Sequence, residues 1–372
     1  MKFTVFQKKF SEGLSIALRF TTSKAQLPVL GNICLNVKEG KLFLSSTNLE
    51  MSVLLSTVVK DSIDGSITVP AKLLYEVVSN LGSDTVEVES EKEQMLIKSG
   101  NFSSRVSGMN ASDFPSVPES VSKESLSIDS QTLTSTLPKI LFSVSLDETR
   151  PTLTGVLVEI SKDSITFVAT DGFRLSKKIL LKKTGNEVKM ILPKGIVIEL
   201  GKLAKGENIL LDLKKEDSQV VFQTDSVFLS SRVIEGDFPD YEKIIPKSHN
   251  IKINVGRGDL MQAVKLASVF ARDSSNIVKF AVGKNSLKLL AESSQSGSQE
   301  NSIDVKVEAE DKEVFGEKGE FVIAFNYKYL EDFVNSVEGD SVDIMFTDPN
   351  SPGVFLDAGD KDYLHLIMPV RI

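Results

Sequence analysis

The stretch TDGFRL at positions 170–175 carries the groups best suited to recognition or chemistry in this chain. Its start predicts a tight turn, because Gly172 supplies backbone freedom and Asp171 can accept hydrogen bonds from its own backbone. A phenylalanine, an arginine and a leucine follow at once. A sharp turn that presents a ring, a planar cation and an aliphatic side chain favours binding another molecule over transforming one. The alternative is an ordinary hairpin in which Phe173 and Leu175 are buried.

Other groups that could do catalysis are scarce. The chain has two histidines, His249 and His365, and neither has a Cys, His or acidic residue at metal-ligand spacing. The sequence has no GxSxG elbow, phosphate-cradling glycine loop or dinucleotide-binding fingerprint. A carboxylate-based hydrolase acting through Asp171 is an open alternative, although it lacks a partner base. We therefore predict a non-enzymatic protein with no catalytic residues, no metal ligands and no cofactor.

Length and composition bound the class of protein. A chain of 372 residues exceeds what one hydrophobic core normally holds, so two or three domains are expected. No run approaches the ~18 apolar residues of a membrane span, and the opening residues do not resemble a signal peptide. The single cysteine, Cys34, lies in the apolar run ICLNV and is interpreted as a small core residue. One cysteine suits a reducing compartment, and we predict a cytoplasmic protein without membrane contact.

Amphipathic and alternating patterns predict short helices and strands. Apolar residues such as Phe6, Phe10 and Leu14 recur at three- to four-residue spacing, which predicts a helix over residues 6–20. A second helix is predicted at Ala71–Leu81, between a proline and a glycine. The predicted strands of this part of the chain are Ile33–Val37, Leu42–Ser46, Met51–Val59, Ile67–Val69, Val86–Glu89, Met95–Lys98 and Ser103–Ser107.

This pattern repeats at a spacing of about 124 residues. SSRVSGMNASDFP at 103–115 returns as SSRVIEGDFP at 230–239, and STNLEMSV at 46–53 matches ATDGFRLSK at 169–177. The opening helix returns at Ser130–Ser145, and a fainter third copy places helices within Asp259–Arg272 and Phe321–Val337. We predict an α+β protein of three repeated domains at 1–119, 120–246 and 247–372.

Basic residues are concentrated on the helices of an acidic chain. The net charge is −8, yet the predicted helices and their edges carry more basic than acidic residues. Lys194, Lys202 and Lys205 fall on one face of a helix by 3.6-residue geometry. A basic surface shared by several helices attracts phosphates without reading base sequence, whereas lysines that merely decorate solvated helix faces are the alternative. The predicted partner is the backbone of duplex DNA. The basic residues counted are Lys8, Lys9, Arg19, Lys72, Lys139, Lys194, Lys202, Lys205, Arg257, Lys265, Arg272 and Lys328.

Several stretches together resemble the bacterial β sliding clamp family, the processivity subunit of the replicative DNA polymerase. They are LPVLGNICLNVKEGKLFLSSTNLEMSV, TLTGVLVEISKDSITFVATDGFRLS, SSRVIEGDFPDYEKIIPK and the terminal HLIMPVRI, and they keep their order across all three repeats. The resemblance implies domains with helices packed on antiparallel sheets. It also implies a head-to-tail homodimer, in which six domains form a ring around DNA with the helices lining the hole.

The resemblance also implies a hydrophobic cleft between the second and third domains. In the family this cleft receives short linear peptides from the polymerase alpha subunit, the clamp loader, other polymerases and repair proteins. Leucine, methionine, proline and valine accept apolar anchors, and polar residues can orient a peptide. The matching positions are Leu153, Thr170, Gly172, Phe173, Arg174, Leu175, Pro246, Asn326, Tyr329, Met368, Pro369, Val370 and Arg371, with Phe173 standing where many clamps have histidine.

Further positions match DNA-contacting and interface residues of the family. Between Asp147 and Arg150 the usual Gln and Tyr contacts are missing, so only Arg150 is carried over from that loop. Lys24 stands where the family has an arginine, which replaces a fork by a point charge. The resemblance together with the helix charges gives the DNA set Lys8, Arg19, Lys24, Arg150, Lys194, Lys202, Lys205 and Lys265, and the subunit-interface set Val106, Val269 and Phe270. A monomeric three-repeat adaptor that binds peptides and no DNA is the alternative function.

Overall fold

A computed structural model describes residues 1–22, 27–185, 187–204, 208–214, 218–294, 297–309, 312–316 and 319–371. In these ranges the helices are α1 (Gln7–Leu18), α2 (Ala71–Ser79), α3 (Ser130–Leu141), α4 (Lys194–Leu203), α5 (Arg257–Ala271) and α6 (Tyr327–Ser336). The chain divides into two compact units. The first unit comprises Met1–Leu133 with Glu199–Val233, and the second comprises Thr134–Ile198 with Ile234–Ile372.

Strands account for most of the remaining regular structure. In the first half of the chain they are β1 (Lys2–Phe6), β2 (Asn32–Lys38), β3 (Lys41–Thr47), β4 (Met51–Val58), β5 (Lys60–Ile63), β6 (Gly65–Pro70), β7 (Thr85–Glu91), β8 (Gln94–Ser99), β9 (Phe102–Ser107), β10 (Leu126–Asp129), β11 (Gly155–Ile160), β12 (Ser164–Thr170) and β13 (Arg174–Leu181). In the second half they are β14 (Val188–Pro193), β15 (Asn208–Lys214), β16 (Gln219–Gln223), β17 (Val227–Arg232), β18 (Ile251–Gly256), β19 (Ile277–Val282), β20 (Ser286–Ser293), β21 (Gly297–Asp304), β22 (Lys306–Ala309), β23 (Phe321–Asn326), β24 (Ser341–Phe346), β25 (Gly353–Asp357) and β26 (Asp360–Ile367).

The first unit is built on two antiparallel sheets. One has the strand order β5-β1-β7-β8-β9, and the other has the order β10-β15-β16-β17-β4-β3-β2-β6. The second sheet therefore joins strands of the first repeat to strands of the middle repeat, at the pair β4 and β17. Helix α1 buries Phe10, Leu14 and Ala17 against this framework, and the Gln7 amide donates to the Val78 carbonyl of α2 at 2.8 Å.

The second unit repeats this arrangement. One sheet has the order β14-β11-β12-β13-β26-β25-β24-β18-β22, and the other has the order β21-β20-β19-β23. The pair β13 and β26 joins the middle repeat to the third in an antiparallel register. Helices α5 and α6 bury Leu260, Val264 and Phe333 in a core rich in phenylalanine. The predicted α+β class with helices packed on antiparallel sheets is confirmed.

The helices lie where the sequence predicts them, although α1, α2 and α3 end two to four residues earlier than predicted, and two side chains differ in burial. Phe6 was expected on the apolar face of the first helix, but it ends β1 and is 53% exposed, because the helix begins only at Gln7. Lys139 was counted among the surface bases, but it is 4% exposed and its ammonium lies 2.8 Å from Asp360 and 3.3 Å from Glu338. Despite burial, these two carboxylates raise the pKa of Lys139. In the ranges that the structure describes, no helix is long and apolar enough to span a bilayer.

Candidate partner-binding site

The turn between β12 and β13 is held by hydrogen bonds of its own side chains. Asp171 Oδ1 accepts from the backbone N–H groups of Phe173 at 2.9 Å and Arg174 at 3.0 Å, as the sequence predicted. The Thr170 hydroxyl donates to the Arg174 carbonyl at 2.6 Å and accepts from the Gly172 N–H at 3.0 Å. Gly172 has φ of 91°, a left-handed conformation that glycine adopts without steric cost.

The Arg174 side chain extends from this turn into a largely buried site lined by hydrogen-bond acceptors. Its side chain is 12% exposed, and its guanidinium binds Asp171 at 3.1 Å and Asp332 of α6 at 2.5 Å. It also donates to the Phe142 carbonyl, and its Cζ lies 4.6 Å from the centroid of the Tyr329 ring. A planar cation suits a site with several acceptors and an aromatic face. Arg174 therefore fixes the position of α6 against the turn.

The C-terminal segment forms another wall of the same site. Beyond the pairing of β13 with β26, the Met368 N–H donates to the Phe173 carbonyl at 2.8 Å. The Val370 N–H then donates to the Ala324 carbonyl of β23 at 2.8 Å. The segment 368–370 is thereby held between the turn and the strand that ends at Asn326. Asn326 caps α6 by accepting from the Lys328 N–H at 3.0 Å.

An apolar floor lies beneath these groups. Leu153 and Leu175 are 6% and 1% exposed and belong to one cluster, so the structure brings these two predicted cleft residues together. Other members of the cluster were not predicted as site residues. They are Leu157, Val168, Ile191, Phe238, Tyr241, Val354 and Leu366. Phe238 lies in the repeated DFP motif and Tyr241 is the second residue after it, so the repeat was a usable signal for both.

Two apolar side chains stand exposed beside the floor. Phe173 is 57% and Met368 is 39% exposed, while Pro246, Pro369 and Val370 are half-buried and Arg371 is exposed. The predicted alternative of a buried Phe173 is wrong, because the turn directs this ring away from the core. Tyr329 is half-buried, and desolvation followed by the charge of Asp171 raises the pKa of its hydroxyl. The site thus combines exposed apolar anchors with oriented polar groups.

Arg150 lies beside the turn. Its Nη1 is 3.3 Å from the position that a Cβ on Gly172 would take, and its Nε is 3.2 Å from Asp147. Its side chain is 51% exposed. The hydroxyl and N–H of Thr149, followed by the Arg150 side chain, lower the pKa of Asp147. Arg150, predicted as a DNA contact, is therefore also part of the rim of the candidate cleft.

The other predicted DNA contacts lie on or beside helices. In the first unit, Lys8 is exposed, and Arg19 and Lys202 both pair with Glu199, at 2.6 and 2.8 Å. In the second unit, Lys194 is half-buried at the start of α4 and Lys265 is exposed on α5. Lys24 and Lys205 lie outside the described residues.

The predicted interface residues differ in exposure. Val269 is 48% exposed and Phe270 is half-buried on α5, with Leu266 (44% exposed) nearby in sequence. Val106 is 3% exposed, because its side chain faces the core of its own unit from the sheet-edge strand β9. On this edge strand the side chains of Phe102, Ser103, Arg105 and Ser107 are exposed instead. In the described ranges, no three His, Cys, Asp or Glu side chains are grouped to hold a metal ion.

Models of one protein family match almost the whole chain. Residues 1–118, 127–240 and 242–371 match the N-terminal, central and C-terminal domain models of the DNA polymerase III beta subunit. The chain is 28% identical to the beta sliding clamp of Staphylococcus aureus over 382 aligned positions, covering 100% of this chain and 99% of the relative.

Solved structures of this family are similar to the chain over its whole length. The DNA polymerase III beta subunit of Thermotoga maritima has a TM-score of 0.90 at 27% identity, with 100% of this chain and 99% of that chain covered. The Bacillus subtilis sliding clamp has a TM-score of 0.93 at 25% identity, with the same coverage. A Pseudomonas aeruginosa sliding clamp solved with bound griselimycin has a TM-score of 0.92 at 25% identity, covering 100% of both chains. The chain belongs to the DNA polymerase III beta subunit family, whose curated members are named beta sliding clamp.

Proposed function

We propose that this protein acts as a non-catalytic ring around duplex DNA and tethers the replicative polymerase to its template. Two copies would associate head to tail, each contributing domains at 1–119, 120–246 and 247–372. A closed ring is retained on DNA by its topology, so its contacts with phosphates can be weak and salt-screened, which permits sliding. The proposal includes a cytoplasmic location, where the chromosome is replicated.

Exposed apolar side chains beside a buried apolar cluster are the observation that supports the proposal. Phe173 and Met368 are exposed beside the apolar cluster that contains Leu153 and Leu175. An apolar slot with a few oriented polar groups fits short linear peptides of the polymerase alpha subunit, the clamp loader, other polymerases and repair proteins. Binding there would raise the effective concentration of the polymerase at its template. Asp171 supports this reading over hydrolysis, because both of its carboxylate oxygens accept hydrogen bonds within the turn.

The basic side chains support sequence-independent DNA contact. Lys8 and Lys265 are exposed on helices, and Lys202 is 53% exposed despite its contact with Glu199. Such side chains bind phosphate without base readout. For the subunit interface, the exposed Val269 and the half-buried Phe270 would pack against the partner copy, and β9, which carries Val106, would present its free main-chain edge.

The cleft is tested by substituting its exposed anchors. We expect Phe173→Ala and Met368→Ala each to weaken binding of a fluorescently labelled polymerase peptide by roughly 5- to 30-fold, since each removes about 1–2 kcal/mol of buried apolar contact. Fluorescence anisotropy measures the affinity.

Leu49→Ala is the matched control, because Leu49 is a 50% exposed apolar residue at the corresponding turn of the first repeat. Unchanged peptide affinity in both cleft variants, or equal loss in the control, would contradict the assigned cleft.

The ring is tested by mass and by DNA retention. Sedimentation should give twice the 40.7 kDa of one chain, and Val269→Asp should convert the dimer to the monomer. After loading, the dimer should remain on circular DNA and leave linear DNA through its open ends. A wild-type protein that sediments as a monomer at micromolar concentration, yet still binds the peptide, would favour the alternative of a monomeric adaptor.

A further inference from the structure

A pocket of about 490 Å³ lies in the first unit, outside every site described above. Its lining includes Asn36 and Leu54 from β2 and β4, together with Phe114 and Val117 from the segment after β9. Asn36 lies on the sheet face opposite to core residues such as Leu35, because side chains alternate along a strand. The volume falls in the range of about 300–1,000 Å³ that is typical of small-ligand pockets.

The second unit has an equivalent position on its sheet, and there a side chain of the protein occupies the space. Glu159 pairs with Thr166 on β11 and β12 as Asn36 pairs with Phe43 on β2 and β3. Tyr241 covers this place and is 6% exposed. Its hydroxyl donates to Glu159 at 2.6 Å.

A cation completes the enclosure of that ring. The Lys177 ammonium lies 5.2 Å from the centroid of the Tyr241 ring. Burial, followed by the hydrogen bond to Glu159, raises the pKa of the Tyr241 hydroxyl. The repeat thus contains its own example of the group that fits this sheet face, a phenol ring with its hydroxyl bonded at the edge.

The repeated DFP motif explains why the first unit lacks this ring. Tyr241 is the second residue after the motif at 237–239, and a 3-10 turn at Tyr241–Ile244 holds it on the sheet. Val117 is the second residue after the motif at 113–115, and the backbone of 116–122 has no such turn. A valine cannot fill the volume of a tyrosine ring. The pocket is therefore the space that the second unit fills with its own side chain.

We propose that this pocket binds a tyrosine side chain of a partner protein. Asn36 stands in the position of Glu159, so its amide oxygen can accept the phenol O–H. Leu54 and Phe43 stand in the positions of Lys177 and Thr166, which makes the sides of the pocket more apolar than in the second unit. The lining also includes two lysines and two glutamates, Lys38, Lys41, Glu39 and Glu119, and this balance of charge favours a neutral ligand.

N-acetyl-tyrosinamide is the probe for the intact protein. Methyl NMR of Leu54 should report saturable binding with a dissociation constant of about 1 mM, the affinity expected of one buried side chain. Val117→Tyr should fill the pocket from within and abolish the shift. Ile63→Tyr, which places the same ring on a 61% exposed position of the other sheet, should leave the shift unchanged.

Two further arms test the chemistry of the ligand. N-acetyl-phenylalaninamide should bind several-fold more weakly, and Asn36→Leu should remove this difference. Tyr241→Val should open the corresponding space in the second unit and raise the stoichiometry from one probe per chain to two. No saturable shift in the wild-type protein, an unaltered shift in Val117→Tyr, or equal binding of N-acetyl-leucinamide would overturn the proposal.

Discussion

The two strand pairs that join successive repeats have opposite polarity. In the first unit, Ser52 of β4 and Ser230 of β17 face each other, and their hydroxyls are 2.6 Å apart. The corresponding pair in the second unit is Leu175 and Leu366, which belong to the apolar floor of the candidate cleft. The same backbone pairing therefore carries a buried polar pair in one unit and a buried apolar pair in the other.

On the other face of each strand pair the polarity is reversed: the pair is apolar in the first unit and polar in the second. In the first unit, Val53 pairs with Leu229. In the second, Ser176 pairs with His365, whose Nδ1 is 2.8 Å from the serine hydroxyl, and Ser176 also contacts Ser143 at 2.7 Å. The second unit thus has apolar side chains on one face of the pair and polar ones on the other, and all four are buried. This exchange explains why the second strand pair contributes Leu175 and Leu366 to the apolar floor of the candidate cleft.

The turns beside the two strand pairs are built alike. Asn48 accepts from the N–H groups of Glu50 and Met51 as Asp171 does in the second unit, and Leu49 has φ of 75° where Gly172 has 91°. The acidic residue of the neighbouring helix is bound by an arginine in both units, but the arginine differs. Arg19 from the end of α1 binds Glu199, whereas Arg174 from β13 binds Asp332.

Removing the more buried of these arginines should have the largest effect. Arg174→Ala leaves Asp171 and Asp332 without their shared cation, and we expect a local loss of about 3 kcal/mol because a partly buried charge network is broken. Hydrogen–deuterium exchange of the β13 and β26 amides measures this loss.

Arg19→Ala is the matched control. Arg19 is 32% exposed, and Glu199 keeps Lys202 at 2.8 Å, so the β4 and β17 amides should lose only about 1 kcal/mol. Equal losses in the two units would contradict the difference described here.

The buried histidine should make the second strand pair sensitive to pH. His365 is fully buried, and desolvation followed by the charge of Arg174 holds its pKa well below the usual 6.5. Below pH 6.5 the unfolded chain binds a proton that the folded chain does not, so stability should fall with decreasing pH by up to about 1.4 kcal/mol per unit. Thermal unfolding between pH 7.5 and about 5 measures this slope.

His365→Leu copies Leu229 of the first unit and should remove this part of the slope. A variant whose stability falls with pH as steeply as that of the wild type would show that other groups are responsible.

Exchanging the turn residues should have the smallest effect. Gly172→Ala places a Cβ at φ of 91° and should cost about 1 kcal/mol, mainly in the backbone, because the nearest atom is the flexible Arg150 Nη1 at 3.3 Å. Leu49→Gly should relieve a similar strain and change stability by no more than about 1 kcal/mol in the opposite direction. Urea unfolding of both variants measures the sign of the change in stability. Destabilisation by both substitutions would show that the two turns are not equivalent.

The sequence predicts what depends on local pattern. The helices and strands follow from apolar spacing, and the turn follows from Thr170, Asp171 and Gly172, whose hydrogen bonds stay within five residues. Internal repetition adds the α+β class, because each pattern occurs again at the same spacing. The family resemblance then supplies the expected cleft residues, of which Leu153 and Leu175 share one apolar cluster.

The sequence does not predict what depends on distant partners. Lys139 reads as a surface base, yet it is buried by Glu338 and Asp360, which lie 199 and 221 positions away. The exchange of polarity between the two strand pairs is also hidden, since alternation shows that Ser52 and Val53 face opposite ways but not which face meets the core. The contact between Arg19 and Glu199 is also not predicted, because the two residues are separated by 180 positions.

The joining of β4 to β17 has a consequence during protein synthesis. Ser52 and Ser230 are 178 residues apart, so at about 5–20 residues per second the ribosome needs roughly 9–36 s to deliver the second strand after the first. Throughout that interval β4 has an unpaired edge, which is a template for association with other nascent chains. Ser52 keeps that unpaired edge partly polar, and a slow codon tract between it and β17 would prolong the exposure.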